Sequence, residues 1–125
     1  MTSIVKKSFD SRDELRNPPK TRIEVVDLNG LTAMRAVFQP GWKWSECVKP
    51  TAGTESCEVA HLGYMLSGEM VVKMDDGDEP HLKAGEAVSI PPGHHAWIVG
   101  DDECVFIDFQ GAANYGRSQT STKTS

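Results

Sequence analysis

Four histidines and three cysteines are the residues of this chain best suited to chemistry: His61, His81, His94 and His95, with Cys47, Cys57 and Cys104. Thiolate and neutral imidazole are donors for a borderline or soft metal ion. Three cysteines cannot all pair within one chain, and no CxxC spacing occurs, so neither a zinc knuckle nor a dithiol redox pair is indicated. The plain alternative is that all three are small, reduced, buried residues. His81 follows Glu79-Pro80 in a polar turn and reads as a surface residue. No Ser-His-Asp arrangement, phosphate-cradling glycine loop or close pair of buried carboxylates emerges from the spacing.

The segments that must position these groups read as short strands separated by turns, with almost nothing of helical period. Ile23 to Leu28 is turned by Asn29-Gly30 into Leu31 to Phe38, and Asn-Gly between apolar runs is a strong hairpin signal. Pro40-Gly41 opens a third strand over Trp42 to Val48, and residues 50–57 form a loop. Glu58 to Leu66 and Glu69 to Asp75 flank a Ser67-Gly68 turn. A short strand surrounds His81-Leu82, and Ala87 to Ile90, Ala96 to Val99 and Cys104 to Phe109 complete the set. Turn signals every eight to twelve residues predict a sandwich or barrel. Residues 1–20 read as an N-terminal arm whose helix potential is confined to Ser11 to Arg16. Residues 116–125 read as a disordered tail, because six of the last eight residues are Ser or Thr.

Composition narrows the function. At 125 residues the chain holds one domain, residues 21–115, with enough surface to bury a core. Thirteen basic residues stand against eighteen acidic ones, a net charge of −5. Six of the basic and fifteen of the acidic residues fall between residues 21 and 110, so the folded part is more acidic still. Such a body repels phosphate backbones, and nucleic acid is excluded as a partner. No apolar run reaches the roughly 18 residues of a membrane span, and no leader is evident, so a cytoplasmic location and no membrane partner are expected.

The turns carry a more specific pattern. The stretch from Pro40-Gly41 through Cys47 and Lys49, followed by His61 through Gly68, resembles the first motif of the cupin superfamily. That motif is a glycine, five residues, His-x-His, a short gap, a glutamate, six residues and a glycine. Ile90-Pro91-Pro92-Gly93-His94-His95-Ala96-Trp97 resembles the second, Pro-x-Gly-x-x-His. Asp76-Gly77 and Lys83-Ala84-Gly85-Glu86 sit where cupins place two turns. The resemblance covers about residues 30–110 and implies an all-β, cupin-type jelly roll, the double-stranded β-helix barrel, with one open mouth for a small ligand. It also implies that metal-binding members hold an ion with the two histidines and glutamate of the first motif and the histidine of the second. Aligned residue by residue, those positions hold Cys47, Lys49, His61 and Ala96, and residues 50–60 make the internal gap long.

Cys47 and His61 remain able to ligate, and His94, two residues before Ala96, faces the same side of an extended strand. Cys47, His61 and His94 are therefore the expected metal ligands, for zinc, iron, manganese or nickel, leaving an open position for catalysis. His95 would replace His94 if the turn shifts the phase. Lys49, Met65 and Trp97 are the expected ligand-pocket residues, with Gly63 and Met65 leaving room beside the imidazole of His61. With Cys47 inward, Trp42 and Trp44 fall on the outer face beside Leu62, Tyr64 and Leu66, a patch that suggests a homodimer. The opposite register puts both tryptophans in the pocket. The expected function is small-molecule binding, with a divalent metal acting as Lewis acid or oxygen activator on a small organic substrate. The alternative is a metal-free binding or structural barrel.

Overall fold

The alternation of apolar and polar residues is expressed as two antiparallel sheets that face each other across a common core. In a computed structural model, which describes residues 3–113 and 115, the larger sheet has six strands and the smaller three. The strands are β1 (Glu14–Arg16), β2 (Thr21–Leu28), β3 (Leu31–Phe38), β4 (His61–Ser67), β5 (Glu69–Met74), β6 (His81–Lys83), β7 (Ala87–Ile90), β8 (His94–Ile98) and β9 (Cys104–Asp108). Their order is β1-β2-β3-β9-β4-β7 in one sheet and β6-β5-β8 in the other. The expected all-β jelly roll is the fold observed. The tail predicted over residues 116–125 lies outside the described residues.

Local chemistry explains the main elements. The β2–β3 hairpin pairs Leu28 with Leu31, and positive φ at both Asn29 and Gly30 is the geometry of a type I′ turn. In β4, His61, Gly63 and Met65 are buried while Leu62, Tyr64 and Leu66 are exposed, the period-two pattern of a sheet with one wet face. In β9 the inward set is Cys104, Phe106 and Asp108. These residues meet Ile23, Met34 and Phe38 from the same sheet, and Met70, Val72 and Ala96 from the opposite one.

The strand expected over Trp42 to Val48 is instead helical. Two short helices, α1 (Trp44–Cys47) and α2 (Lys49–Ala52), occupy that stretch. Trp44, Cys47, Val48 and Ala52 are all buried, the i, i+3, i+4, i+8 spacing of one helical face rather than of a strand. Pro50 sits in the first turn of α2, where its missing N–H costs nothing, and Gly53 stops it in the left-handed region. The Trp-Lys-Trp alternation belongs only to the entry of this segment, where Lys43 bridges Trp97 of β8.

The N-terminal arm is docked. Ser8 caps a single 3-10 turn over Phe9–Ser11, so the cap lies three residues earlier than the sequence suggests, and β1 adds to the sheet edge beside β2. Arg16 is buried and donates to the backbone oxygen of Tyr115 at 2.6 Å, joining the two ends of the described chain.

Candidate metal centre

Closing the two sheets on one another sets three donor side chains together: Cys57, His61 and His94. One ligand atom from each lies within 4.8 Å of the others, and all three residues are buried. Each arrives by a different route. His61 is the first residue of β4 and faces inward, paired across the ladder with Ile90. His94 is the first residue of β8, in the opposite sheet, after Pro91-Pro92-Gly93 has ended β7. Cys57 lies before β4 in an isolated bridge with His94: its N–H donates to the His94 oxygen at 2.7 Å, and its own oxygen accepts from Gly93 at 2.8 Å. That bridge delivers the thiol to the imidazoles.

Hydrogen bonds orient both rings. His61 Nδ1 lies 2.5 Å from Asp108 Oδ2, and Cys57 Sγ lies 3.8 Å from His61 Nε2. His94 Nδ1 donates to the Pro91 oxygen at 2.8 Å, which leaves its Nε2 as the lone-pair nitrogen. Asp108 is fully buried, and its Oδ1 accepts from the N–H groups of Leu62, Gln110 and Gly111. Burial alone would raise the Asp108 pKa, but the His61 hydrogen bond and charge, with the Gly111 and Gln110 N–H groups, hold it below the usual carboxylate value. Burial, and then the nearby His61, push His94 down to about 4, so its imidazole is neutral at pH 7. A carboxylate behind one imidazole and a carbonyl behind the other are the supports that metal-ligating histidines use. The donor set is chemically fit for a divalent ion.

Two glycines are required by close approaches. A Cβ on Gly111 would stand 2.7 Å from both Asp108 Oδ2 and His61 Nδ1, so only glycine leaves that pair in place. A Cβ on Gly63 would fall 1.9 Å from the Ile107 backbone oxygen. Gly63 therefore admits the β9 backbone and does not make room for an ion, as the sequence had suggested.

Beside the donors is a small cavity of about 30 Å³. His61 and His94 form part of its wall, Tyr115 stacks edge-on to His61 with ring centroids 5.1 Å apart, and most of the remainder is apolar. Trp42 and Trp44, each 1% exposed, also belong to the wall. Their Nε1 atoms are, among the described residues, the buried side-chain nitrogens with no hydrogen-bond partner. Leaving such a donor unmatched costs about 1–3 kcal/mol.

Several sequence expectations are corrected here. Cys47 is buried in α1 and, among the described residues, does not join the group of donors that could hold an ion; Cys57 does. The count from Gly41 assumed an extended chain, with about 3.3 Å per residue, whereas the helices that replace it advance about 1.5 Å. Lys49 stands outside the cavity wall on α2, paired with Glu55 at 3.2 Å. Trp97 is half-buried and, with His95, points away from the cavity, since His94, Ala96 and Ile98 are the inward set of β8. Met65 faces inward and is fully buried, but packs in the core beside the cavity rather than in its wall. Trp42 and Trp44 are interior, so they form no part of an outer patch. His81 is exposed and lies 3.1 Å from Glu69. Cys104 is a core thiol that burial pushes up to about 12.

Sequence reasoning missed Cys57 and Asp108. For Asp108 a signal existed: a carboxylate in phase with Phe106 and Cys104 sits on a buried face, where an unpaired charge is not tolerated. For Cys57 the signal was weaker, since nothing marks which loop thiol a β-bridge will capture.

Comparison with known proteins places this geometry in context. Residues 44–109, more than half of the chain, match the family model described as Cupin domain. No curated protein matches the sequence. Among solved structures, KdgF from Halomonas sp. is 18% identical with a TM-score of 0.57, covering 86% of this chain and 91% of its own. A cupin-like protein from Thermotoga maritima is 16% identical with a TM-score of 0.52, covering 90% and 80%. An oxalate decarboxylase variant from B. subtilis is 17% identical with a TM-score of 0.61, and the match covers 90% of this chain but 31% of that one. At these identities the likeness is one of fold.

Proposed function

The chain belongs to the cupin domain family, and from that premise we propose that it is a small-molecule-binding cupin whose barrel holds a divalent metal ion through Cys57, His61 and His94. The observation that carries this reading is the convergence of three buried donors within 4.8 Å, from two sheets and a loop, with Asp108 and the Pro91 carbonyl fixing the rings. One thiolate with two imidazoles suits zinc, iron or nickel better than manganese, which prefers oxygen donors. Three protein ligands are the number found in catalytic zinc sites, where a further position stays open to a small molecule. A bound ion would supply Lewis acidity to an oxygen of a small organic substrate. The chain's own residues do the rest. Asp108 holds the His61 proton on Nδ1, the Cys57–His94 bridge fixes the thiol, and the apolar wall excludes water. A reducing, cytoplasmic setting is part of this reading, because ligation by Cys57 requires a reduced thiol.

A homodimer belongs to the proposal through a narrower patch than the sequence suggested, namely the exposed Leu62, Tyr64 and Leu66 of β4. Sedimentation of the wild type against Leu66→Glu tests it; a monomeric wild type removes it.

The metal reading is tested by elemental analysis of protein purified without a histidine tag. We expect one equivalent of zinc, iron or nickel, lost in Cys57→Ser and kept in Cys47→Ser. No stoichiometric uptake, or equal retention by Cys57→Ser, would leave the metal-free binding barrel as the function.

A further inference from the structure

We propose that Tyr115 is the movable wall of the cavity, a gate through which ion and ligand reach His61 and His94, and that Arg16 is its latch. This deepens the reading of the same site by naming what controls entry, and its part in metal exchange rests on that reading.

The donors are shut in. Cys57, His61 and His94 are at most 6% exposed, and the cavity beside them holds about 30 Å³. A water needs about 10–15 Å³ of such space, so a small organic molecule enters only if the wall moves. Ten of the thirteen wall residues lie in strands, where displacement would break ladder hydrogen bonds. Trp42 is tied to β8, since its oxygen accepts from the Ile98 N–H at 3.0 Å, and Trp44 is held in α1 by the Val48 N–H at 3.0 Å. Tyr115 differs: among the described residues, its backbone makes no bond to the backbone of a strand. Its N–H donates to the Gly111 oxygen at 3.0 Å, within its own turn, and its oxygen accepts from the Arg16 side chain. Segments held by so few bonds are the ones that open locally.

Arg16 fastens that wall from the other end of the chain. Its side chain is more than nine-tenths buried, a costly position for a guanidinium unless it is paired. Glu14 pairs it twice, Oε2 accepting from Nε at 2.8 Å and Oε1 from Nη2 at 3.1 Å. The fork is thereby fixed, and Nη1 is left to donate to the Tyr115 oxygen at 2.6 Å. β1 is laddered to β2, so the latch is anchored on the sheet. On its inner side the Tyr115 ring rests edge-on against His61 and Phe38, with centroids 5.1 and 6.4 Å away. The Gly111 N–H stays bound to Asp108 Oδ1 at 3.0 Å, so opening pivots beyond Gly111 and leaves Asp108 on His61. Parting Arg16 from Tyr115 therefore opens the cavity while both sheets and the donor set stay intact.

The chain has two tyrosines, Tyr64 exposed and Tyr115 buried, so nitration of the full-length, metal-free protein with tetranitromethane reads the gate directly. In the wild type Tyr64 should react at once. Tyr115 should react slowly, at a rate that urea below the unfolding transition barely changes, the mark of a local opening. Arg16→Gln should speed nitration of Tyr115 about tenfold to a hundredfold, the value of one charge-assisted hydrogen bond, and leave Tyr64 unchanged. Arg16→Lys, which keeps a donor, should restore part of the protection. In zinc-loaded protein, Arg16→Gln should speed zinc release to a chelator and zinc uptake by the same factor, with equilibrium affinity unaltered, because a gate acts on the barrier alone. A lowered affinity with unchanged uptake would make Arg16 merely structural and overturn the proposal. So would nitration of Tyr115 that rises with urea in step with global unfolding, a wild-type measurement that stands even if the Arg16 variants fail to fold. Gated nitration without zinc uptake would support the gate while removing the metal reading. Zinc uptake with a Tyr115 that opens only on global unfolding would do the reverse.

Discussion

Among the described residues two carboxylates, Glu24 and Asp108, are buried, and they are buried differently. Glu24, on the outer face of β2, has Arg35 at 2.6 Å and Arg12 and Arg22 each at 3.5 Å; Arg35 also reaches Asp10 at 2.9 Å and lies over the Phe9 ring. Asp108 has one ionisable partner, His61, and is otherwise held by three backbone N–H groups. Around Glu24, every charge meets an opposite charge, and the network fastens the N-terminal arm to the barrel. Around Asp108 the ordering stops short of completion. The lone-pair nitrogens of His61 and His94 face a thiol, and two indole N–H groups lack acceptors. A structural cluster satisfies its own members, whereas a site holds its members in place and leaves valences open. The contrast is one of bonding, since both carboxylates are buried.

Substitution sharpens that contrast, and the largest effect belongs to the centre. His61→Ala should lower metal affinity by more than about a hundredfold, beyond the 10–100-fold that changes to a ligand's supporting partner cost. The circular dichroism spectrum should remain that of the folded barrel, because the strand ladder does not use the imidazole. Retained metal in this variant would erase the distinction between the two clusters.

Acid should reach the centre next. In the metal-free protein His94 is held at about 4 by burial and by His61, against 6.5 in the unfolded chain. Between those values the unfolded state binds the extra proton, so stability is full above about pH 6.5 and falls as the pH drops toward 4. The loss is on the order of 3 kcal/mol at most. Urea unfolding at pH 7 and 4.5 should show the decline in the wild type, and His94→Gln should flatten it. An equal decline in both proteins would place the acid-sensitive group elsewhere.

Asp108→Asn should cost about 10–100-fold in metal affinity with little change in fold, because the amide cannot hold the His61 proton as a carboxylate does. Isothermal titration with zinc measures it, and an unchanged affinity would reduce Asp108 to the structural role of Glu24. The smallest effect is expected at Glu24 itself. Its arginines are partly exposed, so Glu24→Gln should cost about 1 kcal/mol of stability by urea unfolding and leave zinc affinity unchanged.

Much of the fold was legible because its signals are local. Apolar runs in Leu31 to Phe38 and Ala87 to Ile90, bounded by turn residues, marked those strands, and Asn29-Gly30 marked the first hairpin, since backbone geometry and solvent decide each within a few residues. The proline and glycine frame around Gly68 and Pro91-Pro92-Gly93 identified the family, and counting back from Gly68 placed His61 in the interior. The segment from Trp42 to Ala52 misled, because Trp-Lys-Trp alternates like a strand while Trp44, Cys47, Val48 and Ala52 share a helical face. That one change of period exchanged Cys47 for Cys57 and moved both tryptophans indoors.

By itself the sequence determined an all-β barrel, its turns and the inward position of His61, because strand parity and turn chemistry act over neighbouring residues, while the choice between His94 and His95 waited on the phase of β8. Only the tertiary structure decided the third donor, the carboxylate behind His61 and the composition of the cavity. Cys57 precedes His61 by four residues but reaches it through a bridge to His94, and Asp108 lies 47 residues from its partner. Such pairings are set by how two sheets close over a core, a global packing outcome that no local run of residues encodes.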